Sequence, residues 1–522
     1  MTGQDSIDIR TDVDVVVVGA GVAGLAAATA LGRYGIATLL VEQRTEPSTL
    51  PRATVISTRS MELLRAWGLE DEVRAGGIDA DVWLWECETL ADAAHGRAHA
   101  VGYPNRDQAL VVSPCTPGAV PQDWLEVVLR RHLQSLPSVR FELGTQLVGL
   151  DNSTHRVRAT FRDAAGKLFS VGARYLVAAD GAHSPVRGML GIEMLEREGA
   201  YGGVQVLFRA PLRQLLGDVR YALYWVTTPA APGLFLPAGP ADRWVYGAGA
   251  TPGCDRSTEL DPTRLAQAIR HGAGVDDLDP RIERIGPFHS PGELAERFRV
   301  GRTFLTGDAA HRVTPRGGTG MNSALHSGYD LGWKLAWVLH RWARPDLLDT
   351  YESERRVVAA HNVTRSTDPN GSRRPVIDEL NVDLGGRIAH AWLPASPGRV
   401  STLDLLGPGW TLFTGPTPGA WHAAGSQSPI TLTVQPLDAI TARALGVRGD
   451  GALLARPDGV PVAMWTSPAS GADLRRAMDH TAAAPAAELA IASSRSSTKP
   501  RSSDASTLWC ITVEAAPCSE PS

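Results

Sequence analysis

Cysteine is scarce and poorly placed for bridging: Cys87, Cys115, Cys254, Cys510 and Cys518 are scattered through 522 residues, with no Cys-x-x-Cys pair. An odd count without paired spacing argues against a disulfide scaffold and fits a reducing compartment. The fourteen histidines show no metal-ligand spacing, so no metal site is expected. The longest apolar stretches are strand-sized or interrupted, which gives no membrane-spanning helix. Met1-Thr2-Gly3-Gln4-Asp5 lacks the basic start and apolar run of a signal peptide, so a cytoplasmic location is expected. Positive charge is not in excess. A net charge of −5 offers no field for nucleic acid. What remains is a chain with 43% apolar and 20% charged residues, a globular composition long enough for two or three domains.

Two glycine motifs lie nearly three hundred residues apart. The first is Gly19-Ala20-Gly21-Val22-Ala23-Gly24. It follows Asp14-Val15-Val16-Val17-Val18, an apolar β-branched run that reads as a buried parallel strand. It precedes Leu25-Ala26-Ala27-Ala28-Thr29-Ala30-Leu31, a run of strong helix formers. Strand, glycine turn and helix form the dinucleotide-binding context. Gly19 suits the tight turn, Gly21 the approach of a pyrophosphate, and Gly24 the packing of helix on strand. The helix N-terminus presents free N–H groups to the phosphates. A second strand, Ala37 to Val41, ends at Glu42, positioned to accept from a ribose hydroxyl.

The second motif is Gly307-Asp308-Ala309-Ala310-His311, continued by Pro315-Arg316-Gly317-Gly318-Thr319-Gly320-Met321-Asn322. Arg299 to Thr306 reads as a strand running into it. Asp308 is a candidate acceptor for a ribose or ribityl hydroxyl. The glycine-rich stretch lets backbone lie flat against a planar ligand. A long helix is expected from Asn322, its N-terminus suited to partial negative charge. His311 reads as a hydrogen-bonded structural residue rather than a base.

A third segment, Leu176-Val177-Ala178-Ala179-Asp180-Gly181-Ala182-His183-Ser184-Pro185-Val186-Arg187, completes the set. Together these motifs resemble the single-component FAD-dependent aromatic hydroxylases, the para-hydroxybenzoate hydroxylase-like flavoprotein monooxygenases. Within that group the chain looks like hydroxylases that tailor polycyclic aromatic polyketides and related antibiotics in actinomycetes. The resemblance covers roughly residues 12 to 365. It implies that the Asp180–Arg187 segment serves both FAD and NADPH, that Arg52 of Pro51-Arg52-Ala53 reaches the flavin, and that Gln122 contacts FAD. With Gly19, Gly21, Gly24, Glu42, Asp308, Pro315, Gly317, Gly320, Met321 and Asn322, these are the candidate cofactor residues. Arg316 departs from the apolar or small residue that many relatives carry, and would put a fixed charge near the flavin.

The implied fold class is α/β: a Rossmann-like FAD-binding domain interleaved with an antiparallel β-sheet substrate domain, plus a small thioredoxin-like C-terminal domain. The FAD domain is expected to be discontinuous, over residues 1–78, 106–190 and 285–365. Residues 79–105 and 191–284 supply the substrate sheet, where alternating aromatic segments such as 203–209, 220–226 and 243–247 read as antiparallel strands. A linker and polar helix over 366–400 precede the small β/α unit at 401–480. Without Cys-x-x-Cys that unit is expected to dock rather than to do redox work. The serine- and alanine-rich stretch 481–522 is expected to be disordered.

The chemistry that the resemblance implies uses non-covalent FAD, NADPH or NADH, and O2. A flavin C4a-hydroperoxide would hydroxylate a phenolic, polycyclic aromatic substrate. The protein's part is to position the ring and exclude water. No catalytic base is identifiable. Baeyer–Villiger oxidation and epoxidation use the same flavin chemistry and stay open. A halogenase would need Trp-x-Trp-x-Ile-Pro, and Trp83-Leu84-Trp85-Glu86-Cys87 departs from it at Cys87. A non-catalytic FAD-retaining metabolite binder is the alternative of another class, and a simple NAD dehydrogenase is disfavoured by Gly307-Asp308. A monomer or homodimer is expected.

Overall fold

A computed structural model describes residues 8–249, 260–425 and 431–480. The stretch 481–522 and Cys254, Cys510 and Cys518 fall outside the described residues, so the expectation of a disordered tail is not addressed.

The β-branched run at the N-terminus forms the strand Val13–Val18, its last four residues buried on both faces. It lies at the centre of five parallel strands in the order Thr303–Leu305, Leu168–Ala178, Val13–Val18, Thr38–Glu42, Val139–Leu143. The Ala-rich segment becomes the helix Val22–Arg33, buried along nearly its whole length. Its neighbour is the long helix Gly320–Leu339. The two backbones come very close at Gly328 and Gly332. A Cβ on Gly328 would collide with the Ala23 carbonyl, and one on Gly332 would lie 2.6 Å from Ala30 Cβ.

The second sheet has eight strands, in the order His311–Arg312, Arg281–Ala295, Met194–Arg209, Arg243–Gly249, Gly233–Pro237, Tyr221–Val226, Asp81–Cys87, Arg97–His99. Pairing is antiparallel except between the strands at 221–226 and 81–87. Its spine is the long pair Met194–Arg209 and Arg281–Ala295. The expected boundary at residue 284 therefore runs through a strand. Local pattern could not show this, because the strand is fixed by its partner some eighty positions earlier. One face of the sheet packs Val204, Val206, Phe208, Phe235 and Tyr246 against Leu265 and Ile269 of the helix Pro262–Ala273. The other face turns towards the first sheet.

The C-terminal unit is a four-stranded sheet in the order Leu432–Pro436, Trp410–Thr414, Ala452–Ala455, Pro461–Trp465. Its first pair is parallel and the others antiparallel, the arrangement of a thioredoxin-like sheet. The Arg456–Gly459 turn joins the last two strands as the sequence suggests.

Two local expectations shift. Arg299–Thr306 is a tight hairpin rather than one strand, turning at Gly301 with φ +55°. The long helix starts at Gly320, two residues before the expected Asn322. The polar helix in the linker region is Val376–Leu384, ended by Gly385 in the left-handed region. No helix among the described residues is long and apolar enough to cross a membrane.

Candidate active site

The three motifs leave three adjacent parallel strands at one level. Leu305, Ala178 and Val18 are direct neighbours across the sheet, and Val41 continues the row. Just beyond this row lie Asp308, Asp180, the Gly19–Gly24 turn and Glu42. Ligands of open α/β sheets bind outside the carboxyl ends of the strands, where this row places the motif residues.

At the first turn, two of the three glycines are demanded by the chain itself. Gly19 has φ +99°, and a Cβ there would strike the Ala179 carbonyl. A Cβ on Gly24 would strike the carbonyl of Gly19. Gly21 is different: a Cβ there would meet nothing within 4 Å. Gly21 thus leaves the helix N-terminus open to an approaching group. Glu42 Oε2 accepts from Ala20 N at 2.9 Å and Oε1 from Arg44 N at 2.9 Å, which pins the acid beside the turn. Arg130, on the helix Gln122–Gln134, donates to the Ala20 carbonyl at 3.3 Å. Its buried Nε has no protein partner. This cation beside the pyrophosphate turn carries no sequence motif and was not among the expected residues.

Asp308 makes no hydrogen bond among the described residues. Burial raises its carboxyl above the usual aspartate range, against the opposing pull of Arg52 and Arg312. Arg52 is exposed. Asp180 is spent inside its own segment. It accepts from Ser184 Oγ at 2.5 Å and from Val186 N at 2.9 Å, and burial raises its pKa against those bonds. Arg187 donates to the carbonyls of Ala309 at 3.2 Å and Ala182 at 3.0 Å. It thereby ties the second motif to the third.

The loop at 315–320 turns on Gly317 and Gly318, with φ +79° and +62°, a conformation that L side chains rarely adopt. Pro315 is exposed at its start, whereas Met321 is buried in the core. No side chain caps the helix at Thr319, so the N–H groups of its first turn are available to a ligand. Asn322 does not face outward. Its Oδ1 accepts from Ser57 N at 2.8 Å and Ser60 Oγ at 2.9 Å, and its Nδ2 donates to Val55, Gly318 and Tyr103. It joins the loop to the segment after Arg52. Gln122 gives its N–H to Ala53 O at 2.9 Å and its side chain to Glu126. His311 is buried beside Ser327, and burial, with Arg355 adding, holds its pKa down to about 3. A neutral structural imidazole follows, as expected. Turnover by a His311→Gln variant should therefore keep the wild-type pH profile across the ordinary histidine range of about pH 6 to 8, checked by steady-state rates.

Arg316 turns its charge towards the second sheet. Its guanidinium carbon lies 4.7 Å from the centre of the Tyr201 ring, and Tyr201 packs on Phe288. Among the described residues, the acids Asp330, Glu354 and Asp458 lie close enough together to suggest a cation site. Lys334 and Arg456 already neutralise them.

The residues present fit FAD. The pyrophosphate turn is open at Gly21, Asp308 has no internal partner, and the helix start is uncapped. The chain belongs to the FAD-dependent aromatic-ring hydroxylases: its residues 12–366 match the FAD binding domain and residues 382–485 the aromatic-ring hydroxylase C-terminal domain. It is 32% identical to tetracenomycin A2 monooxygenase-dioxygenase of Streptomyces glaucescens, over 86% of this chain and 92% of that protein. It is also 32% identical to aklavinone 12-hydroxylase RdmE of Streptomyces purpurascens, over 90% of this chain and 98% of that protein. The solved ternary complex of aklavinone-11 hydroxylase with FAD and aklavinone superposes with a TM-score of 0.80 at 28% identity, covering 91% of this chain and 99% of that one.

Proposed function

We propose that this enzyme uses NAD(P)H and O2 to hydroxylate a phenolic, polycyclic aromatic natural product of polyketide type. The observation that carries the reading is the closure of the second sheet over the cofactor motifs. Tyr201 of the sheet meets Arg316 of the glycine loop, and Leu50, two residues before Arg52, packs on the same sheet face. A sheet face edged by the rings of Tyr201 and Phe288 thus meets the glycine loop beside which the motifs would hold a flavin ring. Bound FAD supplies the chemistry, taking two electrons from NAD(P)H and activating O2. The Gly19–Gly24 turn, Glu42 and Arg130 would hold its pyrophosphate and ribose, and Asp308 its hydroxyls. The uncapped helix start would face its negative edge. The sheet keeps bulk water away from the ring to be oxygenated.

No second dinucleotide fingerprint is present, so the nicotinamide must use the open face of the same site. Flavin reduction should then be slow alone and faster once a polycyclic phenol binds. Stopped-flow bleaching of the flavin with and without a phenol tests this. Equal rates for every phenol that is hydroxylated would refute the gating. Absence of any oxygenated product would refute the hydroxylase reading. Arg187→Ala frees the Ala309 and Ala182 carbonyls, and is expected to slow reduction more than it weakens substrate binding. The two rates come from the same stopped-flow series, and substrate binding from a flavin-absorbance titration.

A further inference from the structure

We propose that Gln205 reads the substrate through one hydrogen bond from a flat, glycine-floored patch of the second sheet, and that this patch takes a planar fused-ring system with a carbonyl or hydroxyl oxygen at its edge. The inference rests on the reading of this sheet as the substrate wall.

Direct strand partners share a face. Across the sheet, Gly286, Gln205, Gly247, Leu234 and Trp225 form one such row. The alternate residues Val204 and Val206 pack in the core beneath the helix Pro262–Ala273. The row therefore looks the other way, towards Leu50 and the glycine loop. Leu207, two residues along from Gln205, packs with Leu50 on that face, and Tyr201 meets Arg316 there.

Glycine weakens a strand interior and needs a reason there. Gly203 has one in the backbone, because a Cβ would strike the Ala248 carbonyl. Gly247 has none. Its φ is not positive, and among the described residues a Cβ would find only the Leu234 carbonyl, at 3.9 Å. On Gly286 a Cβ would approach Leu50 at 3.0 Å and Gln205 at 3.9 Å. Among the described residues, nothing fills the space over Gly247. Gln205 stands in the middle of it, with glycines on both sides and Gly203 and Leu207 before and after it along the strand. Its half-buried amide makes no hydrogen bond among the described residues. An amide can donate two and accept two. A flat floor with one unused amide suits stacked fused rings whose edge oxygen bonds to it. A small, single-ring phenol would not need the cleared space.

The test uses the FAD-loaded enzyme without NAD(P)H, with dihydroxyanthraquinone, anthracene and phenol as probes. Binding is read from the perturbed flavin absorbance and from quenching of probe fluorescence. Wild type should bind the quinone about tenfold more tightly than anthracene, and Gln205→Leu should abolish that preference by weakening the quinone alone. Gly247→Val should weaken both fused-ring probes by about tenfold or more and leave phenol unchanged. Flavin content and circular dichroism show that each variant is folded. If Gly247→Val is not, Gly247→Ala gives the same sign at smaller size. A preference that survives in Gln205→Leu overturns the inference, as does a wild type that binds no fused-ring probe. Turnover separates it from the functional reading. If the binding pattern holds but nothing is oxygenated, the inference stands and the monooxygenase reading falls. Oxygenation of phenol without fused-ring binding gives the reverse.

Discussion

Asp308→Ala is expected to purify as folded, nearly colourless protein. The carboxylate makes no hydrogen bond among the described residues and sits at the carboxyl end of the sheet, in the turn three residues beyond Leu305. A charge-assisted hydrogen bond to a ligand hydroxyl contributes about 1.5–3 kcal/mol, so flavin affinity should fall by roughly ten- to a hundredfold. Flavin absorbance relative to protein absorbance measures it. Normal occupancy in a folded variant would remove Asp308 from the cofactor site. Burial raises the Asp308 pKa in the folded protein, above its unfolded value. The stability this gives is present below the unfolded value and is lost as pH rises through the raised one. At neutral pH the unpaired charge is therefore a penalty in the flavin-free protein. Apo Asp308→Asn should melt no lower than apo wild type at pH 7, with the two converging in acid. A residue with a purely structural role would show the opposite.

Arg456→Met is expected to cost about 3–5 kcal/mol, because removing one member of a buried ion cluster leaves charges uncompensated. Arg456 comes from the turn of the C-terminal unit. It donates to Glu354 at 2.7 and 2.9 Å and to Asp458 at 3.1 and 2.5 Å. Lys334, fully buried on the long helix, donates to Asp330 at 2.8 Å and Glu354 at 2.9 Å. Burial pushes the Glu354 pKa up, but Lys334 and Arg456 more than reverse this and bring it to about 2. Its stabilisation is complete above the unfolded value and is lost as pH falls through the folded one. In the variant Glu354 loses one of the two cations that lower its pKa and protonates more readily. The deficit should be largest near neutrality and should narrow on acidification. Thermal melts across pH check it, and faster proteolysis between the long helix and the C-terminal unit would show where the fold opens. A loss below about 1 kcal/mol at neutral pH, the range of an exposed pair, would mean that the cluster does not hold the two units together.

The parts of the site carried by short, local signals were legible in the sequence. The turn at Gly19–Gly24, the acid at Glu42, the Gly307-Asp308 pair and the glycine loop each announce a backbone shape that their neighbours confirm. The aromatic alternation at 203–209 and 243–247 likewise revealed the second sheet. What stayed hidden depends on partners far along the chain. Arg130 looks like any charged residue on a helix until the fold brings it to Ala20. Lys334 falls in an apolar stripe, and only Glu354, with Asp330 beside it, explains how its charge is held there. Gly328 and Gly332 look like weak points in a helix until the Ala23–Ala30 face packs against them. Gln205 is silent for the same reason, since its neighbours on the face come from other strands. Asn322 was expected among the cofactor residues, and its five partners within the protein, more than two hundred residues earlier or in the loop just before it, carry no local signal.

The tight crossing of the helices Val22–Arg33 and Gly320–Leu339 also dictates an order of assembly. A ribosome delivers the first glycine turn early, but the helix behind it is nearly all alanine and leucine on the side that awaits the later helix. The strand Thr303–Leu305, which leads into Asp308, arrives with that helix. Until then the nascent chain has half a binding site and an uncovered apolar seam. Domains form from the N-terminus during synthesis, and exposed seams of this kind invite aggregation. Cofactor loading must therefore wait until about two thirds of the polypeptide has emerged. Flavin supply in an expressing cell would then act on the nearly finished chain, as a late stabiliser of a closed fold rather than as a template for its beginning.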